Sequence, residues 1–268
     1  MTKENHSKEI TASEAENQCC STETGSTTGI YKSGCMICGA PLIYYWKTKE
    51  SSCYFCGKTL QANAGCPAGH FVCDLCHSAD AIKIIKNVCL HSHKKDMVEL
   101  MNTIRSHPLF KIHGPEHHSM VPAVILTALK NSGQQITNDD INTAIERGRG
   151  VCGGACAFLG ACGAAIGAGI AVSIVLKADP YDGENRQVVQ QATQRALARI
   201  ASYKAPRCCQ RDSWLALEEA SAIMHEITGK SMPVKTFKCE QFPGNKGCIR
   251  EQCPLWPGTR HSLKGGNQ

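Results

Sequence analysis

The tightest constraint on this chain is a series of cysteine pairs at metal-ligand spacing. Cys35-x2-Cys38 and Cys53-x2-Cys56 stand fourteen residues apart, and each is followed at once by a glycine, Gly39 or Gly57. A Cys-x-x-Cys turn aims two thiolates at one ion, and the glycine lets the backbone turn beneath the sulfurs, so two such turns complete a tetrahedral shell. Cys66-x3-His70-x2-Cys73-x2-Cys76 adds four more ligands within eleven residues. Their pairing is open at this level. Sequential pairing puts Cys35, Cys38, Cys53 and Cys56 on one zinc ion. Cross-bracing of the RING type instead joins Cys53 and Cys56 to Cys73 and Cys76, with His77 or Cys89 as substitutes at the second site. A closed four-ligand zinc site folds its segment and leaves no position for chemistry. Residues 34–92 are therefore expected to form a small zinc-ribbon or knuckle module with a following helix, acting as scaffold or docking surface.

The other cysteines cannot be explained as staples. A chain of 268 residues buries a core without them, so its 18 cysteines read as reduced thiols and metal ligands rather than disulfides. The opening Met1-Thr2-Lys3-Glu4-Asn5 has no apolar run behind it, which points to a cytoplasmic protein. The net charge of +6 comes from scattered Lys and Arg, and at 6% aromatic the chain has few stacking platforms. A nucleic-acid partner is not expected. Residues 1–33 and 257–268 are polar and aperiodic, and read as disordered tails.

Residues 93–256 read as an all-α domain with a Cys-rich C-terminal loop, making the whole chain mainly α. Ala81, Ile82, Ile85 and Cys89 share a helical face, as do Met97, Leu100, Met101 and Ile104. Val121 to Leu129 mark a helix ending near Asn131 to Gly133, and Thr137-Asn138-Asp139-Asp140 approximates a capping box. Later helices run through Val188 to Ile200 and through Leu217 to Ile227, the last ended by Gly229; residues 232–239 look extended. The uncharged stretch from Val151 to Leu176 has the length of a membrane span. Its glycines, Gly153, Gly154, Gly160, Gly163, Gly167 and Gly169, lower its hydropathy and favour a buried central helix instead.

Chemistry is expected in this domain. His113-Gly114-Pro115-Glu116-His117-His118 packs three imidazoles and a carboxylate into six residues at the mouth of a helix, a donor set for a transition metal or proton transfer. His113, His117 and His118 are the candidate ligands, and Glu116, His117 and Cys162 the candidate catalytic groups. Cys152, Cys156 and Cys162 flank the glycine-rich helix, and Cys208-Cys209 is followed by Cys239-x8-Cys248-x4-Cys253-Pro254. For Cys156, Cys162, Cys208, Cys209, Cys239, Cys248 and Cys253 three outcomes rank in the order iron–sulfur cluster, redox dithiol and third zinc. Flanking Arg207 and Arg211 are expected to lower the thiol pKa of Cys208 and Cys209.

Cys35-Met-Ile-Cys38-Gly, Cys66-Pro-Ala-Gly-His70, His113-Gly-Pro-Glu-His-His118, Gly160 to Gly169, Pro206-Arg-Cys-Cys209 and Cys248-x4-Cys253-Pro together resemble an uncharacterised Cys/His-rich family, a domain of unknown function in anaerobic archaea and bacteria, over residues 35–256. Members occurring with radical or methyltransferase S-adenosylmethionine enzymes imply a redox or radical-enzyme partner. More distantly, residues 119–229 resemble the C-GCAxxG-C-C proteins, with Ala161-Cys162-Gly163-Ala164 and Cys208/Cys209 in the matching places. The first cysteine of that pattern is absent, and His117 or His118 stands in its place. The expected function is a metal-binding protein with structural zinc and an iron–sulfur or redox-cysteine site, against a non-catalytic zinc scaffold or interaction module.

Overall fold

A computed structural model describes residues 34–54, 58–107 and 109–258, together with the two-residue strand β1 (Gln18–Cys19); for Leu75, Cys76 and Ala79 it describes the backbone. Apart from β1, Pro257 and Gly258, the expected tails lie outside these residues. The first module is built on a hairpin of β2 (Ile43–Ser52) and β3 (Thr59–Gly65), antiparallel from Ile43↔Gly65 to Ser52↔Thr59, with a bulge between Tyr44 and Lys49 and β1 parallel to β3. Its apolar interior is Cys53, Ala62, Phe71 and Cys73 with Leu60 packed against them. So small a cluster cannot by itself offset the entropy of ordering the segment.

Eight helices follow among the described residues: α1 (Asp74–His91), α2 (Met97–Arg105), α3 (Glu116–Asn131), α4 (Asn138–Arg149), α5 (Ala155–Phe158), α6 (Gly163–Val175), α7 (Gly183–Ala201) and α8 (Cys209–Thr228). The chain is mainly helical, as its periodicity indicates. α4 starts on a full capping box: the Thr137 hydroxyl accepts the Asp140 N–H, and the Asp140 carboxylate accepts the Thr137 N–H. α8 stops at Gly229, whose φ of +68° glycine adopts without strain. Residues 232–239 form no strand; they run along the helices, with Met232 buried and Val234 and Phe237 packed against the core.

One core serves all the longer helices. Val121, Val124, Ile125, Ala128 and Leu129 of α3 are fully buried at its centre, with Leu100 and Ile104 of α2, Ile141 and Ile145 of α4, Ala165 and Ala168 of α6, and Leu215 and Leu217 of α8 around them. The uncharged stretch is broken by the turns around Gly154 and Gly160. Its remaining helix, α6, has 13 residues and rises about 20 Å, short of the roughly 30 Å of a bilayer core. Among the described residues no helix is long and apolar enough to cross a membrane. The small residues of α6 instead permit close approach: a side chain on Gly163 would run into the His118 ring, and one on Gly167 would lie 2.9 Å from Pro122.

Helix α4 meets the start of α3 through Gly148, where a β-carbon would stand 2.6 Å from the Ser119 Cα. In an open helix Gly→Ala stabilises. Here the obstacle is backbone, so Gly148→Ala should destabilise by about 1–3 kcal/mol, whereas Gly183→Ala, with nothing within 4 Å, should be neutral or mildly stabilising. Thermal melts of the two variants check this; an unchanged or higher midpoint for Gly148→Ala would contradict the packing.

Candidate metal centres

Two turns of similar build make the first centre. Gly39 donates to the Cys35 carbonyl at 2.8 Å and Gly69 to the Cys66 carbonyl at 2.9 Å; both glycines have positive φ, +74° and +81°. The turns aim backbone N–H groups at the sulfurs: Ile37 donates to Cys35 Sγ at 3.4 Å and Ala68 to Cys66 Sγ at 3.3 Å. Cys38 Sγ lies 3.5 Å from Cys66 Sγ, and His70 Nδ1 lies 3.7 Å from both Cys35 Sγ and Cys66 Sγ. Zinc bound at about 2.0–2.3 Å in a tetrahedron sets its ligand atoms roughly 3.3–3.8 Å apart, so Cys35, Cys38, Cys66 and His70 can hold such an ion. Burial opposes ionisation of Cys66, but the Ala68 N–H and the Cys38, His70 and Cys35 side chains outweigh it and bring the thiol down to about 7.

This grouping differs from sequential pairing, since Cys35 and Cys38 close on Cys66 and His70 rather than on Cys53. Cys53 lies instead beside Cys73, both buried, with the Cys73 N–H donating to Cys53 Sγ at 3.4 Å. Their partners in sequence, Cys56 and the side chain of Cys76, lie outside what is described.

The seven cysteines expected to hold a cluster separate. Cys208, Cys239, Cys248 and Cys253 line one pocket with Gln210, Arg211 and Asn245. Cys208 comes from the residue preceding α8 and the other three from the C-terminal loop. Each sulfur has a backbone donor: Arg211 for Cys208, Gln241 and Phe242 for Cys239, Arg250 at 3.4 Å for Cys248 and Leu255 for Cys253. Cys156, Cys162 and Cys209 stay outside that pocket, Cys156 being exposed. Cys209 faces the Gly114 N–H, and Cys162 precedes α6 within electrostatic reach of Cys209 and Cys156. The expected lowering of the Cys208 and Cys209 thiols is reversed. Burial pushes Cys208 up to about 12 and Cys209 to about 11, overriding the nearby arginines. Neither is a ready nucleophile; a bound metal would be needed to deprotonate them.

The His–Glu segment stands at the mouth of α3, as expected: His113 and Gly114 lead in, Pro115 is the N-cap, and Glu116, His117 and His118 form the first turn. His117 is buried with both ring nitrogens engaged: Nδ1–H donates to the Gly114 carbonyl at 3.0 Å, and Nε2 accepts from Arg105 Nη1. Burial and the Arg105 charge hold its pKa well below the usual histidine range. In this arrangement it offers no lone pair to an ion. His113 is kept neutral too, burial and Arg207 lowering it to about 3; its Nε2–H donates to Asn245 Oδ1 at 3.3 Å, and Nδ1 is buried without a hydrogen-bond partner. His118 donates Nδ1–H to the Val151 carbonyl at 2.9 Å. The Glu116 side chain has 0% exposure and no hydrogen-bond donor to either oxygen, with His77 Nδ1 at 3.5 Å from Oε2. Burial disfavours the charged form of His77, but the Glu116 carboxylate outweighs it and raises the pKa.

Sequence reading missed Arg105, which is 3% exposed. It ties His117 to Gln210, through Nε at 3.2 Å, and to Gln241, through Nη2. The signal was present: Arg105 lies on the buried face of α2 with Met97, Met101 and Ile104, where a charge requires buried partners.

The model of a family of unknown function, DUF5714, matches residues 85–256, from within α1 to the end of the C-terminal loop. No curated protein and no solved structure matches the chain.

Arg105→Lys should lose the forked contacts, because an ammonium is a point donor that cannot reach three acceptors in one plane. His117, Gln210 and Gln241 would then lack buried partners, at a cost of about 3 kcal/mol or more. Urea denaturation measures the loss; a variant within about 0.5 kcal/mol of the parent would show that the guanidinium does not organise this region.

Proposed function

The chain belongs to this family of unknown function, and we propose that it is an electron-transfer or sulfur-handling protein that carries structural zinc in its first module and an iron–sulfur cluster on Cys208, Cys239, Cys248 and Cys253. Under this reading the chain has two working parts: residues 34–92 as a zinc-stabilised module and residues 93–256 as the redox body. The observation that carries it is the convergence of four cysteines, from two separate segments, on one pocket with a backbone N–H aimed at each sulfur. Such N–H···S bonds are what tune a cluster's potential.

Spacing favours a cluster over a third zinc. A single ion draws its thiolates to within about 3.8 Å of each other, as at Cys35, Cys38, Cys66 and His70. Among the described residues that is the set of three or more ligand atoms lying within 4.8 Å of one another, and no three of the pocket cysteines meet the same limit. A cluster interposes irons and sulfides and holds its cysteines further apart. The residues present fit such a group: Arg211, at 2.8 Å from the Asp212 carboxylate, supplies positive charge beside the thiolates, and Phe242, Leu255 and Trp256 give the pocket an apolar lining. When bound, the cluster supplies one-electron chemistry. The dithiol reading suits the pocket less, because burial keeps Cys208 protonated at neutral pH.

The electron partner proposed is a redox or radical enzyme. The histidine and amide groups around the pocket would orient that exchange: Asn245 joins the pocket to His113, and Gln210 joins it to Arg105 and His117. Glu116, His117 and Cys162 remain the proposed reactive region, with His117 holding Arg105 in place rather than taking a proton.

Anaerobic purification followed by iron, sulfide and zinc analysis tests this. We expect iron and acid-labile sulfide in equal amounts, about two or four of each per chain, with a broad visible band. Both should vanish when Cys208, Cys239, Cys248 and Cys253 are changed together to Ser, while zinc stays. Zinc alone, or iron retained in that variant, would overturn the assignment.

A further inference from the structure

We propose that Glu116 and His77 bind a divalent first-row metal ion where α1 meets α3, in a site separate from both cysteine centres and independent of whether the pocket holds a cluster. Glu116 is the starting point. Its carboxylate is fully buried, neither oxygen receives a hydrogen bond, and a β-carbon on Gly114 would collide with it, so it is pressed into place from behind. A charge taken out of water in this way costs several kcal/mol unless a counter-charge offsets it; the His77 ring can do so only when protonated, and a metal ion would do so with His77 neutral. His77 Nδ1 faces it at 3.5 Å and has no hydrogen-bond partner either. That separation is long for a charge-assisted hydrogen bond. It is ordinary for two ligands of one ion, each about 2.0–2.2 Å from the metal.

The surroundings match the class. Asp74 and His77 lie three residues apart at the start of α1, on one face of the helix. Glu116 and His118 are in the first turn of α3, and His118 lies within electrostatic reach of both Asp74 and Glu116. His118 donates Nδ1–H to the Val151 carbonyl, which leaves Nε2 as a lone pair; Asp74 Oδ2 accepts the Gly153 N–H at 2.9 Å. No third His, Cys, Asp or Glu ligand atom among the described residues closes on both Glu116 and His77 within 4.8 Å, so Asp74 and His118 are outer residues, and water would complete the shell of an ion held by two side chains. With nitrogen and oxygen donors the site would take manganese, iron or zinc rather than a soft ion. Glu116 belongs to the segment that the family model matches, whereas His77 precedes it. Metal binding here would therefore fasten the first module to the helical body.

Mn2+ is the probe, since a hard ion avoids the thiolate centres. The full chain, purified anaerobically and stripped of loosely held metal with chelator, is titrated with Mn2+ and followed by electron paramagnetic resonance and thermal melting. The expected result is about one Mn2+ per chain and a higher melting midpoint. Glu116→Gln and His77→Ala should each weaken binding at least about tenfold, with zinc content unchanged. Glu116→Gln keeps the volume and removes the buried charge, so without Mn2+ it should melt at or above the parent's midpoint. If it does not fold, His77→Ala decides. No tight Mn2+ in the parent, or parent-like binding in the folded variants, overturns the proposal.

Discussion

The helical body is organised around one buried cation. Arg105 leaves the last turn of α2 and reaches three segments that are remote in sequence: His117 on α3, Gln210 on α8 and Gln241 in the C-terminal loop. Its guanidinium also stands 6.0 Å from the centre of the Phe110 ring. A planar fork with donors in fixed directions sets where its acceptors stand, so the same side chain positions His117 of α3 and the mouth of the cysteine pocket. Gln210 and Asn245 line that pocket while contacting Arg105 and His113. The two sites are therefore one polar layer viewed from opposite sides.

Around that layer the cysteines divide by distance. Those of the first module lie at single-ion spacing on two turns whose glycines and N–H groups shape them. Those of the pocket stand further apart and are drawn from the ends of the body. Both sets use backbone N–H donors to stabilise sulfur, but only the pocket is enclosed by apolar side chains, Phe242, Leu255 and Trp256. A compact set suits an ion that folds a segment. A buried, wider set suits a group whose electronic properties depend on exclusion of water.

Much of this was legible in the residues. The Thr137–Asp140 cap, the Gly229 stop and the apolar faces of α2 and α8 are local signals, and local rules read them correctly. The Cys-x-x-Cys turns announced a metal centre. What could not be read was which turns meet, because pairing is set through space by the hairpin that brings Cys66 and His70 under Cys35. One helix start was also obscured: α1 begins at Asp74, among cysteines that read as metal ligands, while its apolar face shows only from Ala81. The thiol pKa values of Cys208 and Cys209 went the other way because burial, invisible in sequence, outweighs two neighbouring charges. Arg105 was overlooked as one basic residue among 29 Lys and Arg, although its place on an apolar face marked it.

The central claim, single-ion binding in the first module and a cluster in the pocket, is tested most directly by anomalous diffraction from anaerobically grown crystals, with data on both sides of the iron and zinc edges. The account predicts an iron peak enclosed by Cys208, Cys239, Cys248 and Cys253 and a zinc peak among Cys35, Cys38, Cys66 and His70. Zinc in both places, or a pocket without iron, would contradict it.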